Sequence, residues 1–123
     1  MALVHDLAEA RTGDLNYVEK QYSDVDEAKA VSHLTRNVPF GADIEALINE
    51  FNAKETKEAR LVNDADQISF VLELKKQSDI GAKGPDKWLA VVLDRIKTDT
   101  GRRMAESIME TPWDEWWMND YSE

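Results

Sequence analysis

The feature that most constrains the fold is the stretch TKEARLVNDADQISFVLELKKQ, Thr56 to Gln77, which contains neither glycine nor proline. Leu61, Val62, Ala65, Ile68, Val71 and Leu72 recur along it at helical spacing, so one long helix with a wide apolar face is predicted. Such a helix is the natural centre of a small domain. Two aspartates interrupt it. Asp66 lies on the i,i+4 row between Val62 and Phe70, whereas Asp64 lies between Arg60 and Ile68. The neighbours predict that Asp66 is the buried one. A buried carboxylate is costly unless it is paired, hydrogen-bonded to backbone or bound to a cation, so Asp66 calls for a partner.

Candidate partners lie at the start of the chain, MALVHDLAEARTGD. If this segment is helical, His5 and Glu9 are one turn apart and Asp6 and Glu9 stand at i,i+3. Ala2, Leu3, Leu7 and Ala10 also recur at helical spacing and predict a packed face that holds the ligands in place. Gly13 tolerates a left-handed helix stop, which turns Asp14 back towards Glu9. The alternative is an ordinary polar helix end. With Asp66 added, the set His5, Asp6 and Asp66 suits a divalent cation.

Shorter helices are predicted elsewhere. One runs from about Asp24 to Arg36 with Ser23 as its N-cap and Ala28, Ala30, Val31 and Leu34 inward. His33 sits beside that stripe and reads as an exposed or backbone-bonded residue rather than a ligand. Asn37 to Gly41, with its Pro39, is a break, and Ala42 to Asn52 follows with Ile44, Leu47, Ile48 and Phe51 buried. After the loop SDIGAKGP, a helix from about Asp86 to Lys97 is expected to bury Trp88, Leu89, Val91, Val92 and Ile96. The next turns Met104, Ala105, Ile108 and Met109 inward. In the tail TPWDEWWMNDYSE, Thr111 and Pro112 mark a helix start, with Trp113, Trp116, Trp117 and Tyr121 on one face. That face reads as a lid or half of a subunit contact, and a base-stacking platform is the minority reading. No strand alternation is present, so the fold class is all-α.

Length and charge narrow the function. The chain has 123 residues, enough for one domain over residues 1–123 with a single core. Its formal charge is −10 without a basic run, which disfavours nucleic acid and anionic membrane surfaces as partners. An anionic substrate then needs local help, such as a metal ion. Arg11 is the nearest cation to the candidate site, either as a solvated helix-end side chain or as a phosphate contact. There is no cysteine, hence no disulfide framework, thiolate metal site or thiol nucleophile. No apolar run reaches membrane-spanning length, and His5, Asp6 and Glu9 interrupt any signal-peptide core, so a soluble cytoplasmic protein is expected.

HDLAEARTGD followed by LVNDADQISFVLE resembles the HD-domain phosphohydrolases, in particular their small 5′-deoxynucleotidase branch. Thr100-Gly101-Arg102 leading to Trp116-Trp117 is similar to members of that branch as well. The resemblance implies an all-α, HD-domain-like helical bundle and a metal-dependent phosphomonoesterase acting on deoxynucleoside 5′-monophosphates. Carried across position by position, it makes His5, Asp6 and Asp66 metal ligands, Glu9 the catalytic carboxylate and Asp14 the acidic residue that cooperates with it. Asp64 has no counterpart. The donor types suit Mn²⁺ or Co²⁺.

The family pattern also has a histidine ligand on a helix upstream of the HD pair, and only four residues precede His5 here. The chain therefore reads as N-terminally short, a fragment or a natural short form. Apolar faces left without those helices lead to an expected homodimer. Two rival readings follow: a catalytically impaired HD-fold scaffold or interaction protein, and a nucleotide-binding regulatory module.

Overall fold

The computed structural model describes residues 1–117. Among them all regular structure is helical: α1 (Glu9–Thr12), α2 (Glu27–Thr35), α3 (Gly41–Ala53), α4 (Lys57–Asp79), α5 (Pro85–Arg95) and α6 (Asp99–Glu110), with short 3₁₀ turns at Glu19–Gln21 and Glu115–Trp117. The residues divide into two compact units, Met1–Ala59 and Arg60 onward. No helix is long and apolar enough to cross a membrane among the described residues.

In the first unit, α1 packs on α2 and α2 on α3. Ala8, Ala30, Val31 and Ile48 form its core, with Val4, Leu7 and Ile44 against them. The opening segment differs from expectation. Residues 2–8 form successive turns, and only Glu9–Thr12 is regular α-helix. Leu3 is almost wholly exposed and Ala2 and Ala10 are exposed, so the packed residues are Val4, Leu7 and Ala8. Gly13 has φ +79° but an extended ψ of 155°, so the chain leaves the helix by a glycine conformation other than the left-handed helical one.

The N-cap of α2 is Asp26 rather than Ser23, its carboxylate accepting from the Lys29 N–H at 2.9 Å. The helix consequently begins three residues later than the acidic run suggests. Its C-terminal end is tied to α3: Thr35 is buried and its one hydroxyl proton is shared between the Val31 carbonyl, at 2.9 Å, and the Glu45 carboxylate.

The second unit has its core in Ile68, Val71, Leu74, Leu89, Val92, Ile96 and Ala105. The long helix is present, capped by Thr56, whose hydroxyl accepts from the Ala59 N–H at 3.1 Å. Its buried row, however, runs through Asp64, Ile68, Val71 and Leu74, while Ala65 and Leu72 are exposed. The burial assignment of the two aspartates is therefore reversed: Asp64 is 1 % exposed and Asp66 faces solvent.

The reason is a long-range cap. The Asp64 carboxylate accepts from the Lys97 N–H at 2.9 Å and the Thr98 N–H at 2.7 Å, satisfying the turn that starts α6. Burial alone would raise the Asp64 pKa, but hydrogen bonds from the Thr98 side chain, the two N–H groups and the Asn63 side chain outweigh it and hold the pKa below its ordinary value.

Other apolar expectations fail in the same way, Ala28 and Leu47 of the first unit being exposed as well. Trp88, Val91 and Met104 are exposed, because α5 and α6 bury the narrower rows through Leu89, Val92 and Ala105. After α6 the described residues make only a 3₁₀ turn, with the Trp113 N–H donating to Asp79 Oδ2 at 3.0 Å. Tyr121 lies outside the described residues.

Candidate metal and catalytic site

His5 is held from two sides within the first unit. Its Nδ1 donates to the Ala2 carbonyl at 2.9 Å, and its ring meets Phe51 of α3 edge-on at 4.7 Å. The Ala2 bond requires the proton on Nδ1, which leaves the Nε2 lone pair of a neutral imidazole directed outward. Nε2 is shielded from solvent and stands 3.0 Å from Asp6 Oδ2.

Two electron-rich atoms at that separation need a proton or a cation with them. Ligand atoms at right angles on an ion with bonds of about 2.1 Å are about 3 Å apart, so the His5–Asp6 pair fits one divalent ion. Neither Phe51 nor the Ala2 carbonyl was legible as a support of His5. Both contacts arise from the turn and from the placement of α3, and no spacing in the sequence carries them.

Glu9, half-buried at the start of α1, has its pKa raised. Burial contributes most, then the negative charges of Asp6 and Asp14; Lys20 lowers it and Glu27 adds a further rise. The charge of Asp14 therefore reaches Glu9. Asp14 itself is exposed beyond Gly13.

Asp66 is on α4 in the second unit. Its Oδ2 accepts from Gln67 Nε2 at 2.9 Å and its carbonyl from the Ser69 hydroxyl at 2.8 Å. His33 is exposed on α2.

The HD domain family model matches residues 1–109, a span that contains His5, Asp6, Glu9, Asp14 and Asp66. The chain belongs to the HD domain family. Among curated proteins it is similar to the 5′-deoxynucleotidase HDDC2 of Xenopus laevis, 31% identical over 85 residues that make up 65% of this chain and 42% of that protein. The 5′-deoxynucleotidase HDDC2 of Mus musculus is 27% identical over 88 residues, 68% of this chain and 44% of the relative. The chain therefore spans less than half the length of these relatives. No solved structure matches it. Membership places it among HD-domain hydrolases, which are typically metal-dependent, and agrees with the all-α architecture.

Proposed function

We propose that this HD-domain chain is a metal-dependent phosphomonoesterase that removes the 5′-phosphate from deoxynucleoside monophosphates. The observation that carries the reading is the His5–Asp6 pair, with Nδ1 tied to backbone and Nε2 facing a carboxylate oxygen at 3.0 Å. The names of the two relatives support the substrate class.

In this reading His5, Asp6 and Asp66 hold the ion, and one imidazole with two carboxylates favours Mn²⁺ or Co²⁺. When bound, the ion supplies Lewis acidity towards the phosphate ester and makes water a stronger nucleophile. The residues of the chain do the rest. Ala2 and Phe51 orient His5. Glu9, its pKa raised by burial and by Asp6 and Asp14, takes a proton from the attacking water or gives one to the leaving 5′-oxygen. Asp14 acts on Glu9 through its charge.

The test combines metal content with turnover. After gel filtration and loading with Mn²⁺ or Co²⁺, the wild type is expected to carry near-stoichiometric metal and to release phosphate from deoxynucleoside monophosphates. Asp66→Ala is expected to lose both, and Glu9→Gln to keep metal while losing about 10²-fold or more in kcat. Wild-type protein that takes up neither ion and releases no phosphate overturns the proposal in favour of an HD-fold scaffold.

A further inference from the structure

We propose that a second site in the first unit, formed by Arg11, Lys29, His33 and Arg36, binds a linear polyphosphate: the phosphate chain of a nucleoside triphosphate, or free tripolyphosphate. These side chains line a concavity of about 380 Å³ with Asp26 and Ala30, and none of the residues assigned to the metal or to proton transfer lines it.

The case is electrostatic. The chain carries 25 acidic against 15 basic residues, so cations are scarce and would be expected to pair. Lys75 pairs with Asp79 and Arg102 with Asp99, whereas Arg11, Lys29 and Arg36 are gathered around one concavity. Among the described residues, no side-chain hydrogen bond or ion pair engages Arg11, Lys29, His33 or Arg36. The one carboxylate in the lining, Asp26, already accepts from the Lys29 N–H as the cap of α2. Three cations, Arg11, Lys29 and Arg36, thus face the single carboxylate of Asp26, and the concavity keeps a net positive charge in an acidic protein, the condition for concentrating an anion.

Spacing selects the anion. Lys29 and His33 on α2 and Arg36 at its C-cap, still in helical conformation, stand at i, i+4 and i+7, so the outer two are about 10 Å apart along the axis. A single phosphate reaches one end of that row. A chain of phosphates is met along its length, with the guanidinium forks of Arg11 and Arg36 able to take oxygens in pairs. No Phe, Tyr or Trp side chain lines the concavity, and its charged groups favour the phosphate chain over a base.

The test is calorimetric titration of tripolyphosphate into the full chain in metal-free, low-salt buffer. Saturable binding is expected, weakened about tenfold in Arg11→Glu and in Arg36→Glu. Arg103→Glu, on α6 and not in the lining of the concavity, is expected to bind as wild type. The milder Lys29→Gln, expected to weaken binding about threefold, stands in for a reversal that alters the circular dichroism spectrum. dATP titrated in parallel distinguishes the sources: equal affinity supports recognition of the phosphate chain alone. Absence of saturable tripolyphosphate binding overturns the proposal, as does dATP binding that survives both charge reversals.

Discussion

Asp64 and Glu9 are both carboxylates drawn away from water, and their surroundings push them in opposite directions. Asp64 accepts backbone N–H bonds, so its folded-state pKa lies below the unfolded one and its stabilisation is present at neutral pH. That stabilisation is lost as pH falls from about 4 through the folded value. Asp64→Ala is expected to lower the unfolding free energy by about 2 kcal/mol in urea melts at pH 7, by leaving two N–H groups without an acceptor. It should also flatten the acid limb of the stability profile. Glu9 behaves inversely. Its pKa is raised by burial and neighbouring charge, so it favours the folded state only while protonated and costs stability as pH rises through its folded value. Metal-free Glu9→Gln is therefore expected to melt higher than metal-free wild type at pH 7 and equally at pH 3.5, in thermal scans, while the metal-loaded variant loses turnover. A variant that melts lower at pH 7 would contradict the repulsion among Asp6, Glu9 and Asp14.

Helix junctions rather than helix interiors carry the tightest constraints. At the start of α3, a Cβ on Gly41 would stand 2.2 Å from the Thr35 carbonyl oxygen, a backbone atom that α2 holds in place. Gly41→Ala is expected to cost about 3 kcal/mol in chemical denaturation, because the α2–α3 junction must open to admit one methyl group. At Gly101 the added carbon would meet Asp64 Oδ2 at 2.6 Å and Ile96 Cγ2 at 2.7 Å. This glycine lets α6 approach the carboxylate that caps it. The same junction explains why Asp64 rather than Asp66 faces inward. The i,i+4 neighbours of Asp66 are apolar, yet the inward side of α4 is the one that brings Asp64 to the N–H groups of Lys97 and Thr98, whose place in space no local pattern reveals.

For the molecule as a whole, the expected homodimer remains a proposal, supported by exposed Leu72, Trp116 and Trp117 in the second unit. Multi-angle light scattering at micromolar concentration is expected to give twice the chain mass of 14.0 kDa, and a monomeric mass would overturn it. The sequence by itself determined the helical class, the existence of five of the six helices to within a few residues, and the HD-type residues of the candidate site. Helical periodicity and caps are local, and the motif His5-Asp6-x-x-Glu9 is a matter of spacing alone. Only the tertiary structure decided which rows are buried. Trp88, Val91, Leu72 and Met104 are as apolar as the residues that pack, and burial goes to whichever row meets a neighbouring helix. It also decided the supports of His5 and the raised pKa of Glu9, since both depend on distances between groups that the linear pattern leaves open.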